Sequence, residues 1–218
     1  MKKIFLSALL FVMLISMSVE RAEAQCASGD LLYSFAFDYV IPGTTSHCYY
    51  IVFYCLHCEP SSNSTIGTLQ KMNIQYTSGD CAGIENTSDF LTKRDLALRQ
   101  ETLTHCYFSP CPTQTKVEIR TPICVRYQNV VTGYNTHELY VEGCVGSATC
   151  SQTWDVCIRS SPPPTEAVWS NYNIFIRGWP DCTVPIPSTS TLPPVGKTWN
   201  QNWQYPEIDC FHNTTLCE

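Results

Sequence analysis

"HCYYIVFYCLHCEP", residues 47–60, sets three cysteines and two histidines around one of the most strand-like runs of the chain. Its reading decides the fold, because such a cluster either carries redox or metal chemistry or ties a sheet together. The middle of it, "CYYIVFYC" (48–55), is apolar at odd and even positions alike, the pattern of a central strand covered on both faces. In an extended chain Cys48 and Cys55 stand about 23 Å apart, at roughly 3.3 Å per residue, and point to opposite faces. They cannot bond to each other, since a disulfide needs Cα atoms within about 7 Å, and one metal ion cannot collect both from a single strand. "CLHC" (55–58) has a thioredoxin-type spacing, but "EPSSNST" (59–65) after it has no helical pattern, so no helix dipole is there to lower a thiol pKa. Cys55, His57 and Cys58 are local metal-ligand candidates, yet no second Cys-x-x-Cys completes a ribbon-type zinc site. Cys48, Cys55 and Cys58 therefore read as staples to three different partners.

The compartment agrees. Lys2 and Lys3 precede the uncharged apolar run "IFLSALLFVMLISM" (4–17), and "AEA" (22–24) supplies the small-x-small pattern cut by a signal peptidase. Residues 1–24 are thus expected to be an export signal, too short for a comfortable membrane span. Gln25 before Cys26 is not the small residue that bacterial lipidation requires. Removing 1–24 takes Lys2, Lys3, Arg21, Glu20 and Glu23, leaving 10 basic and 17 acidic residues, a net charge of about −7. A mildly acidic surface without basic clusters argues against nucleic acid and anionic membrane as partners, and no further apolar span follows.

All 14 cysteines survive that cleavage: Cys26, Cys48, Cys55, Cys58, Cys81, Cys106, Cys111, Cys124, Cys144, Cys150, Cys157, Cys182, Cys210 and Cys217. In an exported chain they are expected to be oxidised. The count is even, so all can pair, but roughly 135,000 pairings exist and the sequence does not choose among them.

Working outward, "LLYSFAFDYVI" (31–41) alternates with period two, placing Tyr33, Phe35, Phe37 and Tyr39 on one aromatic face. "PGTTS" (42–46) turns the chain back into 48–55, and "TLQKMNIQYTSGDC" (68–81) holds another alternating strand. "SDFLTKRDLALRQETL" (88–103) is the one helical segment, with Ser88 as cap, Asp89 at its positive end and Leu91, Ala97 and Leu98 on a modest apolar stripe. Residues 115–144 read as two or three strands with a Thr-Gly turn at 132–133, and further strands follow at 151–158 and within 170–182. "TVPIPSTSTLPPVG" (183–196) is an extended, poorly packed connector, and the tail 197–218 is expected to be pinned back by Cys210 and Cys217.

Catalytic signatures fail one by one. "HCE" (57–59) with "PCPTQ" (110–114) has the outline of a zinc deaminase site, but Gln114 stands where the last cysteine is needed. "HELYV" (137–141) lacks the second histidine of a zincin helix. There is no Gly-x-Ser-x-Gly elbow, phosphate loop or haem-attachment motif, and the carboxylates are scattered. Two features point to recognition instead. "TWNQNWQYPE" (198–207) sets Trp199, Trp203 and Tyr205 among amides that suit stacking on sugars, or else covers a disulfide with apolar area. The strand 31–41 either completes a neighbouring subunit's sheet through Tyr33, Phe35, Phe37 and Tyr39 or is the first strand of its own sheet. "NST" (63–65), "NTS" (86–88) and "NTT" (213–215) are sequons that mark exposed loops.

The expectation is a mainly β chain, a disulfide-rich antiparallel sheet or sandwich with at most one short helix and an irregular Pro-rich C-terminal tail. It divides into signal peptide 1–24, a stapled β domain 25–182 and a connector and pinned tail 183–218. The function expected is a secreted, non-enzymatic structural protein that self-associates into a filament, appendage or surface assembly, without cofactor or metal. The alternative is a secreted glycan- or surface-binding module, and an enzyme with a site assembled from distant residues stands third.

Overall fold

The computed structural model describes residues 26–59, 63–75, 81, 84, 87–134, 136–144, 146, 148–159, 166–185, 192–213 and 217. The export signal expected at 1–24, the sequon at Asn86 and the centre of the connector (186–191) lie outside them. The described chain is mostly strand: β1 Leu31–Val40, β2 His47–Glu59, β3 Ser64–Gln75, β4 Thr115–Pro122, β5 Cys124–Gly133, β6 Thr136–Gly143, β7 Thr149–Arg159, β8 Glu166–Arg177, β9 Val184–Pro185, β10 Trp203–Tyr205 and β11 Phe211–His212, with helix α1 Ser88–His105 between β3 and β4.

The alternation read in β1 becomes geometry. Phe35 and Tyr39 are buried, Tyr33 and Phe37 half-buried, and the intervening side chains face outward. β2 pairs antiparallel with β1 on one side and with β3 on the other, so it is interior in the sheet. Its two faces differ, however. Cys48, Tyr50, Val52, Tyr54 and Leu56 are buried, with Tyr50 against Phe90 of α1, while on the other face Tyr49 is exposed and Phe53 is half-buried with Lys71 Nζ 5.3 Å from its ring. An apolar run does not separate a strand buried on both faces from one whose second face is roofed by a lysine stem.

The helix begins one residue earlier than Ser88 suggests. Thr87 is the cap, with extended backbone and a side-chain oxygen that accepts from the Phe90 N–H at 3.3 Å. The stripe is modest because two charges sit on the buried face: Arg94 is enclosed and gives Nε and Nη2 to Asp95 Oδ1 at 2.8 and 2.5 Å. Phe90 carries the apolar contact, its ring centroid 5.4 Å from Phe37, 5.3 Å from Tyr39 and 4.8 Å from Tyr50.

The sheet is mixed rather than purely antiparallel, because α1 is a crossover. β3 and β4 run parallel, a pairing that needs a connection of a dozen or more residues, and 76–114 supplies it. The sheet also forks. One edge of β3 takes β2; the other takes β4 along Ser64–Thr68 and β6 along Lys71–Ile74. Gln70 is the extra residue of a bulge between the two halves, where the register with β2 slips between Phe53 and Tyr54. One branch runs β3–β4–β7–β8 and the other β3–β6–β5, with β10 and β11 on β5. The branches meet where Pro122 ends β4 and Gly143 ends β6. A Cβ on Gly143 would lie 2.4 Å from Pro122 Cγ, so only glycine lets the proline ring fill the crotch.

Seven disulfides join all 14 cysteines: Cys26–Cys55, Cys48–Cys81, Cys58–Cys106, Cys111–Cys157, Cys124–Cys182, Cys144–Cys210 and Cys150–Cys217. The first three close within residues 26–106 and the other four within 111–217. No bridge spans 107–110. Seven bridges place the protein in an oxidising compartment.

The tail joins the sheet as well as the sulfur network. β10 and β11 both pair with β5, and the Asn129 side-chain amide donates to the carbonyls of Trp199 at 3.1 Å and Gln201 at 2.7 Å. Two sequon asparagines depart from the exposed-loop reading. Asn213 is buried. Asn63 donates to the Gln114 carbonyl and accepts from Ser109 Oγ at 3.1 Å and Thr115 Oγ1 at 2.9 Å. Short polar loops here use asparagine to satisfy neighbouring backbone and hydroxyls.

Candidate functional site: an open sheet edge

The opening cluster comes apart into staples. Cys48, Cys55 and Cys58 reach Cys81, Cys26 and Cys106 respectively. His57, the half-buried residue between Cys55 and Cys58, lies between two carboxylates. Its Nδ1 meets Asp30 at 3.0 Å and its Nε2 meets Glu59 at 2.9 Å. The Glu59 hydrogen bond, with Asp30 behind it, raises the His57 pKa and favours the imidazolium. An imidazolium with both N–H groups committed is neither a ready base nor a metal ligand. Its two carboxylates stand on opposite sides of the ring, and no group of three metal-ligating side chains converges among the described residues. Nearby on the same sheet face, Glu118 binds Arg120 at 3.0 Å and Arg177 at 2.6 Å. Burial would raise its carboxyl, but these bonds and one with Ser151 outweigh it and hold the pKa at about 2.

The aromatics of 198–207 sit inward or against neighbours. Trp203 is 5% exposed and its indole N–H donates to the Thr198 carbonyl at 3.1 Å. Trp199 stacks on His137 at 4.9 Å and leans on Trp203, and Tyr205 packs edge-on against Phe211 at 5.0 Å. Trp199 and Trp203 pack together beside the β6 histidine, and Tyr205 packs separately on Phe211, so the three are applied to β5, β6 and β11 rather than spread along an open face.

The aromatic face of β1 is likewise turned onto its own chain. Tyr33 stacks on His105 at 4.0 Å, Phe35 meets Tyr54 edge-on, Phe37 and Tyr39 flank Phe90, and the Tyr39 hydroxyl donates to Asp89 at 2.7 Å. What remains open is the edge. All ten residues of β1 pair with β2, from Leu31↔Leu56 to Val40↔His47, without a register shift. Nothing else among the described residues pairs with β1. The strand contains no proline, lysine or bulge, the usual guards of a sheet edge. Its one charge, Asp38, is met by His47 Nδ1 at 3.0 Å.

A second edge, not anticipated from the sequence, lies at the far end of the same path, β1–β2–β3–β4–β7–β8. β8 pairs only with β7 among the described residues and leads into Trp179, which is 92% exposed. β8 is partly guarded, because Asn171, at φ 53°, forms a bulge opposite β7. Helix Ser88–His105 is not long and apolar enough to cross a membrane. Comparison with family models, curated proteins and solved structures gives no match for this chain.

Proposed function

We propose that the chain is a secreted structural protein, a subunit of an extracellular filament, appendage or surface assembly, joined to its neighbours through the β1 edge. The observation that carries this reading is an uninterrupted ten-residue edge that has no proline, lysine or bulge, carries Asp38 as its one charge, and pairs among the described residues with β2 alone. The edges of β1 and β8 lie at opposite ends of one six-strand path. A contact between unlike edges repeats from copy to copy and grows a polymer when its rotation does not close a ring. Seven internal crosslinks keep such a subunit intact outside the cell, and low charge, 15% of residues, keeps repulsion between copies modest. No catalytic role is proposed for His57, whose protons are held by Asp30 and Glu59. The adhesin alternative built on Trp199, Trp203 and Tyr205 has less support, since Trp203 is buried and its indole nitrogen is already bonded.

The test is sedimentation and electron microscopy of the mature protein beside a double variant, Ser34→Lys with Ala36→Lys. Both positions face solvent on β1, and lysine there blocks edge pairing without touching the core. The wild type is expected as a polymer and the variant as a monomer with an unchanged melting temperature. A wild type that stays monomeric at high concentration, or a variant that polymerises equally, overturns the proposal.

A further inference from the structure

Between α1 and the β7–β8 hairpin runs a groove of about 340 Å³, lined by Ser88, Leu91, Thr92, Asp95 and Arg99 of the helix and Gln152, Trp154, Tyr172 and Ile174 of the sheet. That volume lies in the range of small-ligand clefts, about 300–1,000 Å³. Cys217, bridged to Cys150 of β7, also lines the groove.

The bulge in β8 builds this groove. Along a regular strand, residues three apart point to opposite faces. Here Trp169 pairs with Val156 and Asn173 with Thr153, so β8 has gained a residue at Asn171. The added residue brings Trp169 and Tyr172 to the same face, either side of Trp154. Trp169 meets Trp154 edge-on at 5.9 Å and Tyr172 tilts against it at 5.3 Å. Bulges that re-aim a side chain recur beside functional sites. Tyr172 remains 56% exposed at the mouth of the groove.

Arg99 sits among these rings without an anion. Its guanidinium carbon lies 5.0 Å from the Trp154 ring and 5.4 Å from the Trp169 ring. Among the described residues the guanidinium makes no ion pair or hydrogen bond, and its Nε is buried without a partner. Burial lowers its pKa, with Asp95 opposing. Asp95, the one carboxylate of the lining, does not neutralise it, because Asp95 Oδ1 already binds Arg94. The pair Arg94–Asp95 cancels and Arg99 leaves the groove with a positive charge, on a chain whose formal charge is −6.

We infer that this groove binds a carboxylate-bearing sugar, a hexuronate unit of an acidic polysaccharide, with Arg99 meeting the carboxylate and Tyr172 stacking on the ring. The Arg99 guanidinium, 5.0 and 5.4 Å from the two indole rings, carries the planar donor fork that matches the two oxygens of a carboxylate. A single cation suits a monoanionic carboxylate, whereas phosphate groups draw clusters of arginine. The exposed Tyr172 ring, the Gln152 amide and the Thr92 and Ser88 hydroxyls give the stacking face and polar fringe of a sugar site. This goes beyond the assembly reading, and it is tested on the Ser34→Lys, Ala36→Lys background so that failure of one does not decide the other.

The probes are trigalacturonic acid and its methyl ester, the same trisaccharide without charge, titrated calorimetrically and by Trp fluorescence. The acid is expected to bind and the ester to bind at least tenfold more weakly. Arg99→Met keeps an apolar stem between the indoles and is expected to weaken the acid about ten- to a hundredfold, the worth of a charged hydrogen-bond pair, while leaving the ester unchanged. Tyr172→Ala, at an exposed position, is expected to weaken both ligands and serves if Arg99→Met does not fold. No binding of the acid at millimolar concentration, equal binding of acid and ester, or unchanged binding by both variants overturns the assignment.

Discussion

Gly143→Ala tests the fork of the sheet directly. Gly143 does not have a positive φ, so alanine adds no backbone strain there, and the variant isolates one contact. The new Cβ would stand 2.4 Å from Pro122 Cγ and 2.7 Å from Pro122 Cβ. Non-bonded carbons settle at about 3.5–4.0 Å, so roughly 1 Å of movement is required. A proline ring cannot rotate aside, and the segments beyond both residues are tethered by Cys124–Cys182 and Cys144–Cys210. Overpacking of this kind costs about 1–3 kcal/mol, against which replacing glycine returns about 0.4–1 kcal/mol through the unfolded chain. The net expectation is a loss of about 1–2 kcal/mol, read as a melting temperature lower by about 2–8 °C for a chain of this size. Hydrogen exchange should quicken at the ends of β4 and β6 and not in β1 or β2. Pro122→Gly removes the obstacle, so Gly143→Ala should cost almost nothing in that background. A Gly143→Ala protein as stable as wild type, or an undiminished cost beside Pro122→Gly, would refute the steric account of the branch point.

Two further outcomes are expected. Phe90→Ala empties the space between Phe37, Tyr39 and Tyr50 and should destabilise by about 3–5 kcal/mol in denaturant titration; a loss below about 1 kcal/mol would mean that α1 is not the lid of this core. His57 has a folded-state pKa raised by Glu59 and Asp30, so its contribution is complete below the unfolded value of about 6.5 and fades as pH rises through the folded value. His57→Gln should therefore lower the melting temperature at pH 5.5 and approach wild type at alkaline pH, and a gap that widens with pH would contradict the ion pairs.

Local patterns were readable from the residues, and long-range geometry was not. The period-two alternation of 31–40 and the odd separation of Cys48 from Cys55 each follow from strand stereochemistry, which needs no neighbour. Thr87 displaced Ser88 as helix cap because both are good caps and only backbone angles decide between them. The parallel β3–β4 pair and the fork depend on where α1 returns the chain and on Gly143 meeting Pro122, contacts that no periodicity encodes. The groove was hidden for a similar reason. Trp169 and Tyr172, three apart, share a face only through the bulge at Asn171, and Arg99 meets them only once α1 packs beside β7 and β8. The tail tryptophans drew notice because they are close in sequence, whereas the groove aromatics are gathered by folding.

The gap between the third and fourth bridges bears on how the molecule is made and how it is lost. A polypeptide threading out amino end first presents every cysteine needed by the leading half before Cys111 emerges, so that half can finish its oxidation without choosing among later thiols. The same arrangement leaves one weak link. A protease nicking anywhere else between Cys26 and Cys217 yields pieces still chained by sulfur, while a cut beside Tyr107, 73% exposed, leaves the halves held by packing and strand pairing alone.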